Sequence, residues 1–77
     1  MSSPDRQATK AVYDFIQVHL EVNQGYSPSI REIAAGVYFA PSTVLRHLDW
    51  LEAWGLIERE GNKARSIRLT ARAWPAG

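Results

Sequence analysis

The stretch Pro41-Ser42-Thr43-Val44-Leu45-Arg46-His47-Leu48 constrains this chain more than any other. A proline suits the first turn of a helix, where its missing N–H would find no partner anyway. Val44, Leu48 and Leu51 then fall at i, i+4 and i+7, one apolar stripe of a helical repeat. Ser42, Leu45, Arg46 and Asp49 lie on the other side, where packing against a core leaves them nothing to do. With 77 residues the chain can build one small core. This helix therefore buries one face and presents the other.

Two helix signals come before it. Ser3-Pro4-Asp5 reads as a start, with Ser3 as cap, Pro4 in the first helical position and Asp5 at the positive dipole end. Ala8, Val12, Phe15, Ile16, His19 and Leu20 follow at helical spacing. The helix is expected to stop near Asn23, with Gly25 supplying a left-handed C-terminal conformation. Tyr26-Ser27 is expected to be extended, because Pro28 disfavours the helical region for Ser27. Ser29-Ile30-Arg31-Glu32 has the spacing of a capping box and opens a short helix with Ile30, Ile33, Ala34 and Val37 apolar. Tyr38-Phe39-Ala40 leads into the third helix, which is expected to run to about Trp54. Two helices joined by so tight a turn form a helix-turn-helix unit.

Gly55 ends the third helix. Leu56–Glu60 and Ser66–Thr70 are strand-like, separated by the turn-forming Gly61-Asn62 and the basic Lys63-Ala64-Arg65. The expected fold is α+β and mostly α: a three-helix winged helix-turn-helix with a C-terminal β-hairpin wing. Residues 1–70 form the domain and 71–77, patternless and holding Pro75 and Gly77, a loose tail.

Composition narrows the function classes. No cysteine is present, which excludes a disulfide framework and cysteine-ligated zinc and fits a reducing cytoplasm. The N-terminus lacks a signal peptide's apolar run and no segment reaches membrane-spanning length, so a cytoplasmic protein without membrane contact is expected. The net charge of +1 conceals an asymmetry: residues 59–72 carry +4 and the remainder −3. A nucleic-acid footprint and a solvated basic tail both fit that imbalance. Of the two histidines, His19 lies on the apolar side of the first helix, where a buried, satisfied side chain is expected, and His47 flanks the core stripe of the third. Neither has the carboxylate or thiol spacing of a metal or nucleophile site, and no Gly-rich phosphate loop occurs. No enzyme, metal or cofactor is expected.

Double-stranded DNA as partner asks for elements that this chain has in order. Ser42, Leu45 and Arg46 would meet base edges in a major groove, Arg46 reaching a guanine or a phosphate and Leu45 a thymine methyl. Ser29, Arg31, Thr43, Lys63 and Arg65 would meet phosphates, and both Ser29 and Ser42 lie at helix N-termini, whose backbone N–H groups offer themselves to a phosphate. In isolation Arg46 reads as a solvated surface arginine; the order of helices and hairpin is what favours the contact.

Those residues also carry a resemblance. Gly25-Tyr26-Ser27-Pro28-Ser29-Ile30-Arg31-Glu32-Ile33-Ala34 resembles the approach to the second helix of LexA repressor DNA-binding domains. Pro41-Ser42-Thr43-Val44, Arg46-His47-Leu48 and Gly55-Leu56-Ile57 resemble their recognition helix and the step into the wing, and Ala64–Leu69 their second wing strand. The likeness covers about residues 6–70 and implies a winged helix-turn-helix that binds a palindromic operator and represses transcription. It puts Ser42, Leu45 and Arg46 at base-facing positions.

Four departures accompany it. Tyr38 stands where the family has a glycine, with Gly36 two residues earlier; a left-handed tyrosine is strained, which points to a differently built turn, one residue short. Ala40 takes the capping position usually held by serine, at a cost of about 1 kcal/mol. Leu45 replaces a polar base-contacting residue, so the operator sequence does not carry over. LexA repressors continue into a self-cleaving Ser–Lys peptidase domain that also dimerises them, and this chain stops at Gly77. A stand-alone DNA-binding module and a piece of a longer protein are both compatible with that, and autoproteolysis is not expected of it.

Trp50 and Trp54, spaced i, i+4 and off the core stripe, complete the reading. Trp54 is expected to pack under the hairpin. Trp50, with Trp74, is a candidate contact for a homodimer or a partner protein. The third helix and exposed tryptophans also fit a winged-helix protein–protein interaction module, which Leu45 and the low overall charge favour and the basic hairpin opposes.

Overall fold

The computed structural model describes residues 5–61 and 65–75. Three helices, α1 (Arg6–Val22), α2 (Ile30–Val37) and α3 (Pro41–Ala53), precede the strands β1 (Ile57–Glu58) and β2 (Arg68–Leu69). The strands pair antiparallel, with Ile57 opposite Leu69 and Glu58 opposite Arg68. The expected winged helix-turn-helix is present. Its strands are two residues long, shorter than read from the sequence, because the Glu60 N–H goes to the Ser66 hydroxyl (3.0 Å) instead of a ladder carbonyl.

The start of α1 differs from expectation. Asp5 itself is the cap, its backbone extended and its carboxylate accepting from Gln7 N (3.0 Å) and Ala8 N (3.4 Å). An aspartate caps as well as a serine, and Ser3 and Pro4 lie outside the described residues. The buried face of α1 is Thr9, Val12, Tyr13 and Ile16. That rotation leaves His19 half-buried on the flank, its ring 5.8 Å from that of Phe15, rather than in the core. The helix ends at Asn23 as expected.

The α2 capping box forms in full. The Ser29 hydroxyl accepts from Glu32 N (3.1 Å), and Glu32 Oε1 accepts from Ser29 N (2.9 Å). At the other end Tyr38 adopts φ +62° and ψ +38°, the left-handed conformation that the sequence argued against. The turn is thus built with the tyrosine where a glycine is expected. Tyr38 is 93% exposed, so its side chain meets no packing obstacle. Phe39 N bonds Ala34 O (3.1 Å) and the Phe39 ring packs 5.7 Å from that of His47, which holds the turn from both sides. Gly36 answers a different need: a Cβ there would sit 2.1 Å from the Phe15 ring. The glycine lies where α1 and α2 touch, not where the backbone reverses.

Ala40 is the cap of α3 and supplies no side-chain hydrogen bond. The helix instead uses Pro41 in its first turn and the burial of Val44, Leu48 and Leu51, each 0% exposed. These meet Val12 and Ile16 of α1, Ile33 of α2, and Leu56, Ile57 and Ile67 of the wing in one core. Removing a side chain such as Leu48 would cost about 2–5 kcal/mol, a large share of what so small a domain has. The C-terminal segment is anchored within its irregular run. Trp74 packs 5.3 Å from Tyr13 and 6.0 Å from Trp54, so the expected looseness does not extend to this residue.

Tyr38→Gly removes a left-handed strain of ~1–2 kcal/mol against the extra backbone entropy that a glycine loses on folding, ~0.5–1 kcal/mol. A small rise in thermal midpoint is expected, measured by circular dichroism. A fall would mean that the tyrosine side chain stabilises the turn.

Candidate nucleic-acid interface

The outer face of α3 is built from what its core stripe leaves over. Ser42, Leu45 and Arg46 are all exposed, Leu45 by 41%. Arg46 makes no ion pair among the described residues. Asp49 continues the same face, but it is taken up. Arg59, just after β1, donates from Nη2 to Asp49 Oδ1 and from Nε to Glu52 Oε1 (2.9 Å). The outgoing limb of the wing is thereby tied to α3.

The returning limb is tied to α2. Arg65 Nη1 donates to Glu32 Oε1 (2.6 Å) and to the Ser27 carbonyl (3.3 Å), with its guanidinium 5.5 Å from the Tyr26 ring centroid. Ile67 N donates to Ser27 Oγ (3.0 Å), which itself donates to Pro28 O (3.0 Å). The Ser29 backbone N–H and Arg65 Nη1 thus both donate to one carboxylate oxygen, Glu32 Oε1. The Ser29 N–H donating to Glu32 is the first cause that holds the Glu32 carboxyl below its usual range, and the Arg65 charge adds to it. A groove of about 460 Å³ remains between α2, α3 and the wing. Ile30, Leu45, Leu48 and Ile67 line it, with Arg31 and Arg65 among its cations.

The structure thus brings most of the sequence-predicted residues to one side of the molecule. Ser29, Arg31, Leu45 and Arg65 share the groove, and Ser42 and Arg46 follow along α3. Thr43 is half-buried, its N–H bonded to Ala40 O (3.0 Å). Arg65 is engaged within the protein, and the Ser29 hydroxyl oxygen already serves as the α2 cap. Lys63 lies outside the described residues. The sequence reading missed Arg59, Ser27 and Tyr26 as wing anchors, and Glu32 in its second role. No local signal marks Ser27 and Glu32, since the wing residues that reach them lie 33 to 40 residues away along the chain, and Arg59 lies 7 and 10 residues from Glu52 and Asp49.

Comparison with known proteins places this geometry. The family model of the LexA DNA binding domain matches residues 4–66. The chain belongs to the LexA DNA-binding domain family. It is 43% identical over 67 residues to the LexA repressor of Carboxydothermus hydrogenoformans, which covers 86% of this chain and 32% of that protein. It is 42% identical over 69 residues to the LexA repressor of Clostridium novyi, covering 88% and 32%. For the LexA repressor of Thermotoga maritima the identity is 45% over 56 residues, covering 73% and 28%. The chain spans about a third of the length of the curated relatives it matches.

On this LexA-family domain the aromatic residues form a row of their own. Trp50 is half-buried and stacks 6.0 Å from Trp54, which meets the edge of Trp74 at 6.0 Å; Trp74 in turn touches Tyr13 and lies 5.9 Å from Lys10 Nζ. Both tryptophans singled out as candidate partner contacts have neighbours within the domain. Among the described residues no cluster of His, Asp and Glu is placed to hold a metal ion, and no helix is long and apolar enough to cross a membrane.

His47 couples α3 to α1. It is 7% exposed, with Nδ1 2.8 Å from the Thr9 hydroxyl, which itself donates to Asp5 O (3.1 Å). A hydroxyl has one hydrogen. With that hydrogen on the carbonyl, His47 Nδ1 carries the ring proton and Nε2 is bare. Burial pushes the His47 pKa down; Asp5 opposes this and the neighbouring Arg46 reinforces it. A histidine held neutral contributes stability that is complete above its unfolded pKa of about 6.5 and is lost as the pH falls below it. The thermal midpoint should therefore drop between about pH 7 and pH 5. His47→Gln should flatten that part of the curve, and an unchanged slope would assign it to other groups.

Proposed function

We propose that this domain binds double-stranded DNA in a sequence-specific way and regulates transcription as a LexA-like repressor module. In this reading α3 lies in a major groove and the wing lies beside it. One observation carries it: Ser42, Leu45 and Arg46 stand exposed on one face of a helix whose opposite face is fully buried. Such a helix fits the width of a major groove. Arg46 supplies a guanidinium for guanine or phosphate, Ser42 a small polar contact, and Leu45 an apolar one suited to a thymine methyl. Arg31, exposed and without an ion pair among the described residues, adds a phosphate contact at the start of α2, with Ser29, Thr43 and Lys63 as further candidates.

Repression is supported by the relatives, which are LexA repressors. The domain acts in this reading as a binder in the cytoplasm, without catalytic chemistry of its own. The rival reading, a protein-binding module, has Leu45 in its favour. The engagement of Trp50 by Trp54 weakens it.

Arg46→Ala should lower affinity for a duplex selected from a random pool by ~1–3 kcal/mol if Arg46 reads a guanine, while non-specific binding changes little. Titration of both duplexes at several salt concentrations measures this. Absence of duplex affinity even at low salt would sink the DNA reading.

A further inference from the structure

Arg65 is the cation that a simple electrostatic view would assign to a DNA phosphate, yet its geometry points inward. Its guanidinium is engaged through Nη1, which donates to Glu32 Oε1 at 2.6 Å and to the Ser27 carbonyl at 3.3 Å, and it lies 5.5 Å from the Tyr26 ring centroid. Its backbone sits at φ +56°, in the left-handed region. The acceptor it has found is the oxygen that closes the α2 capping box. Two residues on, Ile67 N bonds the hydroxyl of Ser27. On the outgoing limb, Arg59 reaches Asp49 and Glu52 on α3. Both limbs of the wing are thus held by an arginine, one to each helix of the helix-turn-helix. The groove between them is bounded by those two ties.

We propose that Arg65 and Glu32 act as a positioning pair, which ties the returning limb of the wing to α2 so that α3 and the wing meet one duplex together. This rests on the DNA-binding reading above. It carries a consequence opposite to simple charge counting. Glu32 is an anion on the side of the molecule that meets a polyanion, so removing its charge should tighten binding if repulsion were its only effect. As a positioning residue, its neutralisation should weaken binding instead. Glu32→Gln makes the test clean, because glutamine still accepts the Ser29 N–H and keeps the capping box.

The experiment compares wild type, Glu32→Gln, Arg65→Gln and the double variant in duplex titrations across salt concentrations. Exposed ion pairs are modest, so each single variant should lose about two- to five-fold in affinity. The double variant should lose no more than either single one, and the slope of log affinity on log salt should stay that of wild type. A direct phosphate contact by Arg65 predicts otherwise: Arg65→Gln flattens the slope by about 0.9 and Glu32→Gln binds as tightly as wild type or tighter. Either of those results overturns the proposal. Amide hydrogen exchange without DNA supplies the separate readout. The Ile67 amide should exchange faster in both single variants than in wild type, and unchanged protection also overturns the proposal. If wild type binds no duplex, the DNA reading fails and the positioning role falls with it, while the exchange data still report whether the tie between wing and α2 exists.

Discussion

The structure depends on the apolar stripe of α3. Val44, Leu48 and Leu51 are completely buried on the helix that packs against α1, α2 and β1. A helix at the centre of a three-helix domain would ordinarily be covered on most sides. Here the wing returns along one flank and leaves Ser42, Leu45 and Arg46 in solvent. Among the described residues no other element covers that face.

Polar interactions then decide how the parts around α3 are oriented. Hydrophobic burial is non-directional, so it holds the wing on the domain without defining its angle. Direction comes from Ser27, Glu32, Asp49 and Glu52, which receive the wing's N–H and guanidinium donors. The segment from Tyr26 to Glu32 therefore has two tasks: it starts α2 and it seats the wing. Surface ion pairs contribute little stability on average, and their effect here lies in geometry.

Much of the fold was legible from residues alone. The capping box at Ser29, the end of α1 at Asn23 and the extent of α3 each follow from chemistry acting over one turn of chain. Misreadings arose where distant contacts outweighed local preference. Tyr38 takes a left-handed conformation because Phe39 and the Ala34 carbonyl hold the turn around it. Gly36 is displaced from the turn because the Phe15 ring occupies the space of its Cβ. His19 leaves the core and Thr9 enters it, because the buried face of α1 is set by what α3 presents, including the ring of His47.

The sequence by itself determined the number and order of the elements, the two-faced character of α3 and the residues on its outer side, since each of these rests on periodicity and capping within a few residues. Only the tertiary structure decided which of the charged residues face outward for use. Arg46 and Arg31 make no ion pair among the described residues, whereas Arg59 and Arg65 are drawn into ties between wing and helices. That division could not be read along the chain, because a guanidinium is committed by the carboxylate that folding brings beside it, and Glu32 is 33 residues from Arg65.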